Sequence, residues 1–112
     1  MEKLTEPQID AQLTSHPEWS ETGGALQRTY QFPDFAGSVR FVNAVAEAAE
    51  SADHHPDILV RYNKVTLTLS THDAGGITQK DFDLAGRIDQ IFGSSEEPVG
   101  GVGGGPRRGR KG

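Results

Sequence analysis

Three of the four histidines in this 112-residue chain lie between positions 54 and 72. Two are adjacent, in the run Glu50-Ser51-Ala52-Asp53-His54-His55-Pro56-Asp57. Imidazole titrates nearer to neutral pH than other side chains, so it both gives and takes protons under cell conditions. Pro56 biases His55 toward extended backbone. If His54 is extended too, the two rings point to different sides and suit different jobs. Glu47, Glu50, Asp53 and Asp57 surround the pair; a nearby carboxylate orients an imidazole and favours its protonated form. His72 falls in Ser70-Thr71-His72-Asp73, beside Gly75-Gly76, where a ligand could approach the backbone closely. The pattern is that of a proton-transfer pocket in a small enzyme, against the alternative of three unrelated polar residues at element ends. A metal centre fits poorly: there is no His-x-His, no His-x-x-x-His and no cysteine. His16 reads as a loop residue without a role.

These residues need elements to hold them. Thr5 and Gln8 fit a capping box, with Pro7 in the first turn, and Ile9 and Leu13 share one face of a helix that ends at His16-Pro17. Trp19 and its neighbours start a hairpin that turns at Thr22-Gly23-Gly24. Its second strand, Ala25 to Phe32, puts Leu26, Arg28, Tyr30 and Phe32 on one side. Pro33-Asp34 opens a long helix, in which Phe35, Val39, Val42, Val45, Ala46 and Ala49 form a stripe widened by Phe41 and Ala48. Beyond the His-His-Pro corner come the strands Ile58–Tyr62 and Val65–Ser70, with a turn at Asn63-Lys64. Val65, Leu67 and Leu69 face the core. A regular strand carried on to His72 would aim that ring away from them. Thr78 caps a last helix with the stripe Asp81, Leu84, Ala85, Ile88, Ile91 and Phe92, stopped at Gly93. Asp81 reads equally as a partner in that cap and as a pocket acid. The order α-β-β-α-β-β-α predicts an α+β fold: a four-stranded antiparallel sheet with three helices packed on one face.

Composition narrows the function classes. Hydrophobic residues make up only 34%, and the tail explains part of that. Residues 94–112 are rich in Gly and Arg, bury almost nothing and are expected to be disordered, leaving 1–93 as one domain. Such a body has a modest core, and forming a homo-oligomer would help it. The net charge is −5, and Arg107, Arg108, Arg110 and Lys111 leave −9 on residues 1–97. That charge makes nucleic acid an improbable partner for the domain, whatever polyanion contact the tail could make. No stretch approaches the ~20 apolar residues of a membrane span. The N-terminus lacks the apolar core of a signal peptide, so a cytoplasmic location is expected.

Several landmarks occur together and in order: Pro17-Glu18-Trp19, Phe32-Pro33-Asp34-Phe35, Glu50, Asp53-His54-His55-Pro56, Tyr62-Asn63-Lys64-Val65, Leu69-Ser70-Thr71-His72, and Gly76-Ile77-Thr78 to Asp81. Over about residues 5–92 the chain resembles the pterin-4a-carbinolamine dehydratases, departing at Ile58, where members often carry an aromatic residue. The resemblance implies the fold derived above and dehydration of a 4a-hydroxytetrahydropterin to the quinonoid dihydropterin, without metal or organic cofactor. It makes His54 and His72 the acid–base pair, in either order, and His55 a holder of the pterin. Glu50 or Asp81 would orient an imidazole or pair with ring donors, and Asp53, Ser70, Thr71 and Asp73 would line the pocket. It also implies a dimer or tetramer, working beside a pterin-dependent aromatic amino-acid hydroxylase. The alternative is a non-catalytic assembly or dimerisation partner of the same fold, which would be expected to lose the pocket histidines.

Overall fold

The computed structural model describes residues 2–95. Its elements are α1 (Glu6–Leu13), β1 (Ser20–Thr22), β2 (Ala25–Gln31), α2 (Phe35–Ala52), β3 (Asp57–Arg61), β4 (Lys64–Leu69) and α3 (Gln79–Ser95), with one 3-10 turn at His72–Ala74. The strands form a single antiparallel sheet in the order β1-β2-β4-β3. Element types and order match the expectation from sequence.

Local signals explain most boundaries. The α1 capping box is complete: Gln8 N–H donates to Thr5 Oγ1 at 3.3 Å, and Thr5 N–H donates to Gln8 Oε1 at 2.8 Å. Gly23 and Gly24 join β1 to β2 with φ of +58° and +80°, angles that a side chain would strain. Asp34 caps α2 by accepting the Gly37 N–H at 2.8 Å.

The core lies against one face of the sheet. Leu26 and Tyr30 from β2, and Val65, Leu67 and Leu69 from β4, are buried with Ile9 of α1, Phe41, Val45 and Ala48 of α2, and Phe82, Leu84, Ala85 and Ile88 of α3. On the other parity Thr29 and Thr66 pair their hydroxyls at 2.7 Å in an exposed position. The α2 stripe differs from its prediction. Phe41, Val45, Ala48 and Ala49 are buried, whereas Phe35, Val39 and Ala46 are exposed. Helical periodicity defines an apolar arc wider than one packing partner can cover, and the sheet took the Phe41 side of it. Gly93 does not stop α3, which runs through it to Ser95; residues 96–112 of the expected tail lie outside the described residues.

One carboxylate fastens α3 to the sheet. Asp89 accepts hydrogen bonds from Trp19 Nε1 at 3.1 Å, Arg28 Nη1 at 2.8 Å and the Tyr30 hydroxyl at 2.6 Å. Burial, and then this bond to Asp89, push the Tyr30 phenol far above its ordinary pKa, so it stays protonated and donates. Arg28 also stacks over the Tyr30 ring, 4.3 Å from its centroid. His16 is not idle, since its ring packs 5.6 Å from that of Phe82. Replacing Asp89 by Ala orphans three donors at once. The variant should lose about 2–3 kcal/mol of unfolding free energy, read as a lower urea midpoint at unchanged slope; a shift under ~0.5 kcal/mol would mean that the cluster does not fasten the helix.

Candidate active site

The site begins where α2 stops. Asp53 takes the left-handed conformation at φ +52°, and its N–H and that of His54 turn back onto Ala49 and Glu50 carbonyls. Asp tolerates this angle better than most residues, so the helix ends without a glycine. The reversal directs His54 inward and His55 outward, the divergence expected from the sequence. His54 is buried, and its Nε2 lies 2.5 Å from Asp81 Oδ1. His55 is exposed and pairs through Nε2 with Glu50 Oε2 at 2.6 Å. Both members of that second pair face water, where such contacts hold little energy.

Asp81 organises a set of directed hydrogen bonds. Its Oδ2 accepts from the Thr71 hydroxyl at 2.9 Å and from the Thr78 N–H at 2.9 Å. With its proton used on Asp81, Thr71 Oγ1 is the acceptor for the Thr78 hydroxyl at 2.8 Å. Thr78 Oγ1 in turn accepts from Lys80 N–H at 3.2 Å. A carboxylate only accepts, so toward Asp81 Oδ1 the His54 Nε2 is the donor. That leaves Nδ1 as the ring's free lone pair. Nδ1 has no hydrogen-bond partner among the described residues, and it is not sealed from solvent. The capping reading of Asp81 holds, since it accepts the Thr78 N–H at the start of α3, and it also contacts an imidazole.

The remaining candidates are more open. β4 ends at Leu69 rather than continuing to His72; Thr71 makes a lone bridge to Gly76, and His72 sits in the 3-10 turn. Its ring is exposed and has no polar partner among the described residues. Asp53 and Asp73 are exposed, and Ser70 is half-buried. The structure therefore brings His54, Thr71, Thr78 and Asp81 into contact, sets His72 one residue beyond Thr71, and directs His55 and Glu50 outward. A cleft of about 260 Å³ beside His54 is lined by Ala52, Lys80, Asp83, Leu84 and Arg87; His55 and His72 are not among its walls. A larger and shallower hollow lies on the open sheet face around Thr29, Leu59 and Thr66 and holds no imidazole. Sequence reasoning missed Lys80, Asp83 and Arg87, although their spacing with Leu84 places them on one side of α3. Among the described residues no helix is long and apolar enough to cross a membrane.

The fold is that of an α+β domain with a buried His–Asp pair beside a cleft. The chain matches the family model described as pterin 4 alpha carbinolamine dehydratase over residues 2–91, and it belongs to that family. A relative from Picosynechococcus sp., provisionally named as such a dehydratase, is 56% identical over 89 residues, covering 80% of this chain and 97% of the relative. One from Chloroflexus aurantiacus, named in the same provisional way, is 50% identical over 93 residues, covering 83% and 100%. Two solved structures are similar. A transcriptional coactivator/pterin dehydratase from Brucella melitensis has a TM-score of 0.77 at 33% identity, covering 80% of this chain and 97% of that one. A pterin dehydratase-like protein identified as a RuBisCO assembly factor in the alpha-carboxysome has a TM-score of 0.59 at 26% identity, covering 68% and 90%.

Thr71 gives a direct test of the network. Thr71→Val keeps the shape but removes the hydroxyl that donates to Asp81 and accepts from Thr78. It should cost about 1–3 kcal/mol in chemical denaturation. Unchanged stability would show that Asp81 is held without it.

Proposed function

We infer that this chain is a hydro-lyase that converts a 4a-hydroxytetrahydropterin to the quinonoid dihydropterin and water. In the reaction the C4a–O bond breaks, the N5 proton leaves, and a C4a=N5 double bond forms. The leaving hydroxyl needs a proton and N5 must lose one, so a base and an acid close the balance without redox chemistry. The family resemblance implies that the reaction runs without a metal or organic cofactor.

The buried His54–Asp81 pair carries this reading. With Nε2–H committed to Asp81, His54 Nδ1 is the base for the N5 proton, and Asp81 stabilises the imidazolium that results. His72 is the acid for the hydroxyl, because its exposed ring has no other polar partner among the described residues. His55 holds the pterin, with Glu50 orienting its ring. Asp53, Ser70 and Asp73 flank the substrate, and Thr71 acts through Asp81. Family membership supplies the substrate class. In this reading the protein is a cytoplasmic homo-oligomer that recycles tetrahydrobiopterin beside a pterin-dependent aromatic amino-acid hydroxylase, whose reaction makes the carbinolamine.

The solved RuBisCO assembly factor motivates a second reading, an assembly partner without catalysis. The presence of all three histidines together with Asp81 favours the enzyme.

Stopped-flow absorbance with freshly generated 4a-hydroxytetrahydropterin separates the two. The wild-type protein should accelerate dehydration, and His54→Ala or His72→Ala should each lower turnover by roughly 10²–10⁴-fold, measured where circular dichroism shows that the His54 variant, which loses a donor to buried Asp81, is still folded. Asp81→Asn should also lower turnover, because an amide can present a donor to Nε2 and reverse the tautomer. Near-wild-type rates in both histidine variants would remove the acid–base assignment. A wild-type rate equal to the spontaneous one would leave the assembly reading.

A further inference from the structure

The cleft beside His54 extends past the groups that the dehydration needs. Its volume is about 260 Å³, and neither His55 nor His72 is among its walls. The two exposed imidazoles that hold the ring and protonate its hydroxyl in the proposed reaction therefore work outside it. Ala52, at the end of α2, closes one side. Lys80, Asp83, Leu84 and Arg87 form the other, at i, i+3, i+4 and i+7 along one face of α3. Lys80 N–H donates to Thr78 Oγ1 at 3.2 Å, which ties this wall to the network that holds His54 through Asp81.

The charges on these walls are unevenly matched. Asp83 accepts a hydrogen bond from Gln79 Nε2 at 3.0 Å. Arg87 lies one turn beyond Asp83, a spacing that permits an ion pair, yet the two form none. Lys80 has no ion pair either among the described residues. Two cations without partners, about 10 Å apart along the helix axis, thus line a recess in a chain whose net charge is −5. Lys80 is half-buried, and solvent screens such a charge less than one standing free in water.

The chemistry of the substrate decides what reaches this recess. In the proposed reaction His54 takes the proton from N5. C6 is bonded to N5, so the group that C6 carries leaves the ring beside His54, which is itself a wall of the cleft. The pyrimidine ring, with its amino group, lies at the far end of the bicycle. We propose that the cleft is a subsite for an anionic C6 substituent, and that Lys80 and Arg87 select pterins whose substituent ends in a carboxylate or a phosphate monoester over those ending in a neutral hydroxyl. The assignment rests on the dehydratase reading and narrows its substrate class. Arg87 offers a planar fork that matches either oxyanion, and Lys80, next in sequence to Asp81, a point charge. Asp83 opposes both, so it weakens the preference without reversing it.

Titration calorimetry tests the subsite with three 7,8-dihydropterins that differ only in the end of a C6 side chain of equal length: hydroxyl, carboxylate or phosphate monoester. They lack the 4a-hydroxyl, so they bind without turning over. The wild type should bind an anionic ligand about tenfold more tightly than the neutral one, the combined effect of two partly exposed charge pairs. Lys80→Gln and Arg87→Gln should each lower that ratio roughly threefold, and the two together should bring it close to one. Asp83→Asn should raise it, a gain that loss of folding does not imitate. Each ratio is internal to one variant, so damage that weakens every ligand alike leaves it unmoved. A preference for only one of the anions identifies the group that the subsite takes. Equal affinities for all three ligands in the wild type, a preference that survives removal of both cations, or a lower ratio in the Asp83 variant would overturn the subsite and leave the dehydratase reading standing. Failure to bind any of the three would sink both.

Discussion

A carboxylate removed from water must be matched by donors, and the organisation of this domain around its third helix follows from that requirement. Asp81 is fully buried, and an unpaired charge there would cost several kcal/mol. Its donors come from three segments: the corner after α2, the end of the β4 connection, and the start of α3. No single segment could satisfy it. The carboxylate therefore fixes the relative placement of those segments, and His54 is placed as one of the three.

A second carboxylate repeats the device at the other end of α3. Asp89 draws Trp19, Arg28 and Tyr30 to the helix, so α3 is fastened to the sheet by polar contacts as well as by Phe82, Leu84, Ala85 and Ile88. The two anchors differ in what they leave over. The donors at Asp89 are an indole, a guanidinium and a phenol, none of which offers a basic ring nitrogen. At Asp81 one donor is an imidazole with a second nitrogen that remains free. Identical physics gives a brace in one place and, in the other, holds a ring whose second nitrogen has no partner among the described residues.

Much of this was legible in the chain. Alternation in Leu26–Phe32 and Val65–Leu69 gave the sheet's inner face, and short-range capping patterns at Thr5, Asp34 and Thr78 gave the helix starts, because those signals act within a few residues. Pro56 made the divergence of His54 and His55 readable. Three things were not. The exposed side of α2 at Phe35 and Val39 depends on where the sheet ends, which is a tertiary fact. Asp89 looks like any acid on an amphipathic helix until Trp19 and Tyr30 arrive from 70 and 59 residues away. The direction of the His72 ring was read by extending a strand whose ladder stops at Leu69, and a 3-10 turn beside a local bridge between Thr71 and Gly76 takes its place.

The distribution of the imidazoles bears on what the network is for. A capped helix needs only the reciprocal contacts between Thr78 and Asp81. An apolar side chain in place of His54, with a shorter polar cap, would meet the needs of stability, since buried ion pairs are often replaceable by packing without loss. The fold instead keeps an imidazole beside a buried carboxylate and leaves its other nitrogen without a partner among the described residues. His55 and His72 stay at the surface, where they cost nothing to solvate and can reorient on a ligand. One fixed imidazole and two adaptable ones suit a reaction in which a proton must be removed along a defined direction while the ring that carries it is still being gripped. Stability alone has no use for that division, and the proposed dehydration does.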